Sequence, residues 1–473
     1  MTNALLIAMQ TGDALTENGM VTHSVTGSAV LDLFFKQGAA RAMPKAELLR
    51  MLAQAYAENT ALTLRCLFYN RDVRGGQGER ETFRTMFNWL CLNAPWAAKA
   101  NLPNVPFFGR FDDLFVAIGT AVEHDALGFY AAALRAKDGL AGKWAPREGK
   151  SEHNLASALR SQLGLSWQDY RKLIVAASHT VEQQMCAQQW FAIDYSKLPS
   201  QAALRYRSAF YKRDEARYAA YIALLVAGVP EVKINAAAVF PHQISRKILS
   251  SSEPLTSLLQ AQWNALPNYV AEGSSLLPIC DVSSSMDGEP MDVSMGLGVY
   301  LAERNKGPFK DAFITFSAKP ELFTLSGLTL KQKLEHLAGT EWPSNTNLEA
   351  VFQIILGAAI KGNVPQAELP GTVIIFSDMQ FDQCMSHPHD SAMDMIDRQY
   401  AEAGYRRPQV VFWNLRSSNG VPSKADKKGV SLLSGFSPSA MKSLLLKVDV
   451  PEPTPLETML EVLNNTRYDR VVV

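Results

Sequence analysis

Asp281, Ser283 and Ser285 place one carboxylate and two hydroxyl groups on a single short loop of this chain. The loop follows directly on the apolar run at residues 276–280, which is typical of a buried β-strand. Hard divalent cations such as Mg²⁺ prefer oxygen ligands of this kind. The spacing therefore predicts a site for Mg²⁺, or for another divalent cation such as Mn²⁺ or Ca²⁺, at the end of a strand.

Two residues further along the chain extend this prediction. Thr346 lies in the turn at residues 344–347, and Asp378 ends the apolar run at residues 372–377. In a doubly wound sheet, ligands bind beyond the carboxyl ends of the strands, so both side chains are expected near the Asp281 loop. Such a site leaves one coordination position of the cation open for an acidic group from a partner protein.

The predicted coordination separates hydroxyl groups from carboxylates. Ser283 and Ser285 are expected to bind the cation directly, with Thr346 as the third candidate ligand. Asp281 and Asp378 are expected near the cation or bound to it through water. The alternative is that Asp281 and Ser285 cap the following helix, since helix N-caps use the same residue types.

The elements that must position these residues change character near residue 270. After that point apolar runs alternate with helical periodicity, which predicts a mostly parallel sheet covered by helices on both faces. The predicted strands are 275–280, 311–317, 320–324, 372–377 and 409–415. The predicted helices between and after them are 289–304, 330–338, 347–361, 391–403, 437–447 and 455–464. The final valines, 471–473, are predicted either to dock on the helical front half or to form a last edge strand.

Before residue 270 the sequence shows helical periodicity, with no strand alternation of any length, after a polar lead-in at residues 1–25. Short helices joined by short loops are typical of a HEAT-type array. The predicted fold is an all-α HEAT-like domain, residues 1–270, followed by an α/β doubly wound domain, residues 271–473.

The composition is that of a soluble globular protein, with 47% apolar and 19% charged residues. The formal net charge is zero, yet residues 1–270 hold 28 Lys and Arg against 22 Asp and Glu, which is compatible with a nucleic-acid face on the front half. The cysteines are scattered, and neither a signal-peptide pattern nor a membrane-length apolar helix is present. We therefore expect a reduced, cytoplasmic protein without membrane contact.

One group of candidate RNA contacts is Arg71, Arg74 and Arg80, which bracket the glycine-rich segment 75–78. Backbone amides in such a loop, helped by three guanidinium groups, can hold phosphate. The alternative is an ordinary helix–helix turn in which glycine supplies the backbone conformation and the charges are solvated.

A second group lies at residues 201–250, which hold eight Lys and Arg against three acidic residues, with aromatic residues interleaved. Cations beside aromatic rings suit single-stranded nucleic acid, where bases stack and phosphates pair. The alternative is that the aromatic residues pack the helix core while the charges form a solvated face. The RNA candidates of this group are Arg205, Arg207, Lys212, Arg213 and Arg217.

These motifs resemble those of known families. The five candidate cation ligands resemble the metal-ion-dependent adhesion site of a von Willebrand factor A domain. Longer segments resemble an uncharacterised family that joins a helical region to a von Willebrand A domain and is similar in architecture to the Ro (TROVE) RNA-binding proteins. Those segments are 71–80, 108–114, 143–146, 193–200, 291–303, 307–309, 314–317 and 376–382.

The resemblance implies a Ro-like protein that binds single-stranded or structured RNA on its helical domain and a divalent cation in its von Willebrand A domain. The competing interpretation is a metal-dependent protein-interaction module that captures a carboxylate of its partner and binds no RNA. An enzyme is not predicted, because no nucleophile with a partner base is identifiable by spacing. DNA is not a predicted partner.

Overall fold

The structure, a computed structural model, describes residues 13–149, 151–178, 180–270, 273–316, 320–338, 346–417, 420–440 and 452–473. Helices dominate the chain up to residue 264, and a six-stranded sheet begins at residue 276. A helical region is therefore followed by an α/β region, which confirms the predicted fold class. No helix within these described ranges has the length and apolar character needed to cross a bilayer.

The α-helices of the front half are Ala29–Gln37, Lys45–Glu58, Thr60–Arg71, Glu81–Asn93, Pro95–Ala100, Asn104–Phe108, Glu123–Arg135, Gly139–Trp144, His153–Leu163, Trp167–Ala177, Val181–Cys186, Ser200–Arg213, Glu215–Val226, Pro241–Ile248 and Leu255–Asn264. The helices of the back half are Glu289–Arg304, Leu330–Ala338, Leu348–Lys361, Ala392–Glu402 and Pro455–Leu463. The strands are β1 (Asp13–Leu15), β2 (Val21–His23), β3 (Leu276–Asp281), β4 (Ala312–Phe316), β5 (Glu321–Thr324), β6 (Thr372–Ser377), β7 (Gln409–Asn414) and β8 (Val430–Ser434).

The six-stranded sheet has the order β5-β4-β3-β6-β7-β8. The β4–β5 pair is antiparallel and the other pairs are parallel. The chain leaves β3 toward β4, whereas it leaves β6 toward β7 on the opposite side. The edge between β3 and β6 is therefore a topological switch point, where open α/β sheets bind their ligands. Because Cys280 pairs with Phe376, the next residues, Asp281 and Ser377, end their strands at the same level.

The helices cover both faces of this sheet. On one face Ile279, Ile375 and Phe412, all fully buried, belong to the core shared with helices Leu348–Lys361 and Ala392–Glu402. Burying each such side chain contributes about 1.5–3 kcal/mol. On the other face helix Glu289–Arg304 lies against β3 and carries Gly298 at the contact. A Cβ atom at Gly298 would lie 2.2 Å from the Cys280 sulfur, so only glycine permits this close approach.

The contacts divide the chain into two compact units that are discontinuous in sequence. The sheet unit contains the described residues up to Asn59, together with Val239–Ser252 and Leu266–Asn464. The helical unit contains Thr60–Ala238, Glu253–Ala265 and Asn465–Val473. The predicted boundary at residue 270 lies where the secondary structure changes. The compact units do not follow it, because the first described residues belong to the sheet unit and the last nine residues to the helical unit.

Three strands were not predicted from the sequence. β1 and β2 form a hairpin within the polar lead-in, and β8 follows β7 at the edge of the sheet. Strands of three residues are too short to show an alternating apolar pattern. The predicted helix 437–447 lies mostly outside the described residues.

The last residues of the chain, 471–473, form no strand and dock within the helical unit. The Asn101 side chain exchanges two hydrogen bonds with the Val472 backbone, at 2.7 and 3.0 Å. Tyr468 is buried, and its hydroxyl donates to the Asp72 carboxylate at 3.1 Å. The first of the two predicted alternatives, docking on the helical part, is thereby confirmed.

Candidate metal centre

Asp281 ends β3 with its side chain fully buried. Its Oδ1 accepts the backbone N–H of Ser283 at 2.9 Å, and its Oδ2 accepts the hydroxyl of Ser377 at 2.5 Å. Ser377 is the last residue of β6, so two neighbouring strands hold this carboxylate at the switch point. The position of the carboxylate is thus fixed by the sheet itself.

Ser283 and Ser285 lie side by side, with their Oγ atoms 3.0 Å apart. Ser283 is buried and Ser285 is partly exposed. Neither they nor Asp281 cap the helix Glu289–Arg304, because its N-cap is Gly288 and no side chain caps it. The helix-cap alternative is therefore wrong, and both hydroxyl groups face the same short loop as the Asp281 carboxylate.

Asp378 and Thr346 are joined through Gln380. The Asp378 carboxylate accepts the backbone N–H of Gln380 at 3.1 Å, and the Thr346 hydroxyl donates to the Gln380 carbonyl at 2.8 Å. Repulsion from the Asp378 carboxylate also helps to raise the pKa of Asp281. The five predicted residues thus fall into two contact groups, Asp281 with Ser283 and Ser285 after β3, and Asp378 with Thr346 through Gln380 after β6.

Sequence reasoning missed several polar neighbours of these residues. The Asp382 carboxylate lies 3.1 Å from the Thr346 hydroxyl, and the Asn18 amide donates to that hydroxyl at 2.8 Å. Ser377 and Asp382 lie within the segment 376–382 that resembles the related family, which is the signal that could have found them. Asn18 is 328 residues from Thr346, and no local pattern marks it.

The electrostatics of the neighbourhood favour a cation. Burial and the nearby Asp378 carboxylate raise the pKa of Asp281, and hydrogen bonds from Ser377 and Ser283 oppose the shift. A cation beside the two carboxylates would offset both the burial and the repulsion. The donors are all oxygen atoms, as Mg²⁺ prefers. The described part of the chain has no group of three acidic, histidine or cysteine side chains that could hold a metal ion, so a cation bound here would need hydroxyl ligands as well.

The raised pKa of Asp281 predicts that stabilisation by magnesium increases with pH. In the metal-free protein the contribution of Asp281 to stability is full below the pKa of the unfolded chain and is lost as pH rises through the higher folded pKa. Cation binding needs the charged carboxylate, so magnesium should offset that loss. Thermal melts with and without magnesium chloride, at about pH 5 and about pH 8, should show the larger increase at the higher pH. Equal increases at both would contradict this account.

Arg71, a candidate RNA contact, is 2% exposed in the helical unit. Its Nε donates to the fully buried Asp113 carboxylate at 2.7 Å, and Arg84 Nε reaches the other oxygen at 2.7 Å. Burial lowers the pKa of Arg71, and Asp113 opposes that shift. The guanidinium is thus part of an internal ion-pair network, and this placement removes Arg71 from the RNA candidates.

Arg74 and Arg80 are exposed, but the backbone beside them does not cradle an anion. The N–H groups of residues 74, 76, 77 and 79 donate to acceptors in residues 69–72. A Cβ atom at Gly76 would lie 2.0 Å from the Tyr69 carbonyl oxygen, which explains the glycine there. The segment is a helix–helix turn, as the alternative interpretation held.

Two arginines of the second basic group donate to backbone carbonyl groups. Arg207 is half-buried and donates to the Leu204 carbonyl at 2.8 Å. Arg217 donates to the carbonyls of Trp190 and Ile193, at 3.1 and 2.7 Å. Both guanidinium groups therefore serve the fold of the helical unit.

Arg205, Lys212 and Arg213 remain exposed on helix Ser200–Arg213, and we call these three residues the basic face. Arg205 and Lys212 are seven positions apart and share one side of the helix. The interleaved Phe210 and Tyr218 belong to the core of the helical unit. The aromatic residues therefore follow the core alternative, whereas four of the five predicted cations are exposed, including Arg217 despite its carbonyl partners.

Comparison with known proteins places this geometry in context. Residues 275–467 match the family model for domain of unknown function DUF7788, and residues 16–115 and 147–276 match that for domain of unknown function DUF2828. An uncharacterised protein of Acanthamoeba polyphaga mimivirus is 29% identical over 506 residues, which cover 95% of this chain and 87% of that protein.

The crystal structure of the Ro (RSR) protein of Deinococcus radiodurans aligns with 92% of this chain and 99% of its own, at a TM-score of 0.51 and 14% identity. The chain has a Ro-like architecture. At this identity the likeness concerns the fold, and it confirms the resemblance in architecture drawn from the sequence. The Ro-like architecture also accounts for a helical region and a mostly parallel sheet within one chain.

Proposed function

We propose that this protein binds single-stranded or structured RNA on its helical unit and holds a divalent cation in its sheet unit, with Mg²⁺ as the first candidate. The observation that supports the cation part is the buried Asp281 carboxylate at the switch point, held by Ser283 and Ser377, with four further oxygen-bearing candidate side chains on the loops that follow β3 and flank β6. The five candidate side chains are Asp281, Ser283, Ser285, Thr346 and Asp378. A bound cation would supply an open position for one oxygen of an acidic group.

The RNA part of the proposal rests on the sequence resemblance to Ro (TROVE) RNA-binding proteins and on the basic face. Arg205, Lys212 and Arg213 are exposed and form no salt bridge with any residue that the structure describes. Exposed cations that neutralise phosphates release counterions, and this release drives nucleic-acid binding. Binding rather than catalysis is the proposed activity. No disulfide joins the cysteines that the structure describes, which suits a reducing compartment such as the cytoplasm.

Charge reversal of the basic face is expected to weaken RNA binding. The triple variant Arg205→Glu, Lys212→Glu, Arg213→Glu should lose about tenfold or more in affinity for a single-stranded RNA at low salt. Its salt dependence should also be shallower, by about 0.7 in the log–log slope for each phosphate contact removed. Fluorescence anisotropy with a labelled single-stranded RNA over a potassium chloride series measures both quantities.

The matched control carries the same change of charge at exposed lysines that belong to the sheet unit and not to the basic face. Lys310→Glu, Lys424→Glu, Lys428→Glu should bind RNA nearly as the unchanged protein does. Equal losses in both triple variants would show that net charge, not the basic face, governs binding. Absence of RNA binding by the unchanged protein at low salt would overturn the RNA part and favour the protein-interaction alternative.

A further inference from the structure

Residues 16–23, the strap, lie against the loop that follows β6, within the sheet unit. Gly19 forms a β-bridge with Asp382, and the backbone N–H of Gln383 donates to the Asn18 carbonyl at 3.0 Å. Met20 is 1% exposed and belongs to the core of the sheet. The strap is therefore packed into the unit that holds the candidate metal centre, although it precedes β3 by more than 250 residues.

Asn18 uses its side-chain amide on two groups of that centre. Its Nδ2 donates to the Thr346 hydroxyl oxygen at 2.8 Å and to the Gln380 carbonyl at 2.7 Å. An amide nitrogen has two hydrogens, so both are committed. The same Gln380 donates its backbone N–H to the Asp378 carboxylate. Asn18 thus contacts Thr346 itself and Gln380, the residue that connects Thr346 to Asp378.

We infer that Asn18 is a positioning residue of the cation site, acting through Thr346. This inference rests on the proposed cation site. The Thr346 hydroxyl has one proton, which can go to the Gln380 carbonyl at 2.8 Å or the Asp382 carboxylate at 3.1 Å. It has two lone pairs, and the Asn18 amide occupies one of them. The other is left for a cation, so Asn18 fixes the orientation of a ligand without binding the cation itself.

Polar groups that orient metal ligands affect affinity even though they do not touch the metal. Loss of such a partner typically lowers metal affinity about 10- to 100-fold. Without the Asn18 amide, the Thr346 hydroxyl can rotate and the Gln380 carbonyl loses one donor. The expected result is a weaker cation site in a chain that remains folded.

The experiment compares magnesium binding by the full chain and by Asn18→Ala, using isothermal titration calorimetry with magnesium chloride. We expect the dissociation constant to rise about tenfold or more. The melting temperature in chelator should change little, because Asn18 is largely exposed and the core residue Met20 is unchanged.

Thr16→Val serves as the control that loosens the strap without touching the cation ligands. The Thr16 hydroxyl donates to the Phe381 carbonyl at 2.7 Å and accepts the backbone N–H of Met20 at 2.9 Å. Valine has nearly the same shape and removes both hydrogen bonds. A merely structural role of the strap predicts that the two variants weaken magnesium binding equally, whereas the positioning role predicts a large effect for Asn18→Ala alone.

The outcomes separate the inference from the proposal that it rests on. If the unchanged protein binds no magnesium, the cation site is wrong and Asn18 has no such role. If the unchanged protein binds magnesium and Asn18→Ala binds it equally well, the site stands and the positioning role is overturned. Equal weakening by Asn18→Ala and Thr16→Val would also overturn it.

Discussion

Replacing Asp281 with asparagine is expected to abolish stabilisation of this protein by magnesium. Asparagine keeps the shape of the side chain, and its carbonyl can still accept the Ser283 backbone N–H. It removes the buried charge that a cation would balance. At a magnesium concentration about 100 times the dissociation constant, a site present only in the folded state adds about 2.7 kcal/mol, and the variant should lose that whole increment.

The same variant should have the opposite effect when metal is absent. Burial and Asp378 raise the pKa of Asp281, which means that its charged form opposes folding at neutral pH. Asp281→Asn should therefore be at least as stable as the unchanged protein in chelator and less stable in magnesium. Thermal melts of both proteins in chelator and in magnesium chloride measure this reversal in the order of stability.

The exposed carboxylate of Asp287 offers a matched control, because Asp287→Asn makes the same chemical change on the same loop. That variant should respond to magnesium as the unchanged protein does. If magnesium shifts the melting temperatures of Asp281→Asn and of the unchanged protein equally, the cation lies elsewhere and the site assignment is wrong.

The sequence could predict the sheet and its candidate ligands because both depend on local patterns. An apolar run identifies a buried parallel strand, and the residues at its carboxyl end must lie at the ligand-binding edge. Asp281 and Asp378 follow such runs, and β3 and β6 prove to be neighbours at the switch point. Asn18 could not be found in this way, since its contact with Thr346 depends on where a distant hairpin of two three-residue strands packs.

The basic residues illustrate the opposite case. Arginines beside glycines suggest a solvated loop, but Arg71 is buried because Asp113 lies 42 residues away in sequence and next to it in space. Helical periodicity could not show which cations near residue 210 would bond to carbonyl groups. Arg217 finds the carbonyls of Trp190 and Ile193, which belong to a preceding turn. Long-range partners decide whether a charge is structural or free.

The buried carboxylate of Asp113 supports the second large expectation. Asp113→Ala should destabilise the helical unit by about 3–5 kcal/mol, because removing one partner of a buried ion pair leaves the other charge uncompensated. Arg71 would remain 2% exposed without its counter-ion, and Arg84 would lose one of its three acidic partners. The backbone N–H of Arg110 would also lose its acceptor at 3.0 Å.

Hydrogen exchange of the full chain, followed by mass spectrometry, localises this effect. Amides of helices Thr60–Arg71 and Glu81–Asn93 should exchange about 100- to 4000-fold faster in Asp113→Ala, since about 1.4 kcal/mol corresponds to a factor of ten. Asp112→Ala is the neighbouring control. Its carboxylate is partly exposed and pairs with Arg84 and Arg110, so its loss should change stability by about 1 kcal/mol or less.

A double variant separates the ion pair from the packing around it. Arg71→Met with Asp113→Leu removes both charges and leaves apolar side chains in their place, so part of the lost protection should return. If Asp113→Ala exchanges no faster than Asp112→Ala, the Arg71 guanidinium must reach solvent or another anion. Arg71 would then be a candidate RNA contact again, because a guanidinium group that reaches solvent can also reach a phosphate.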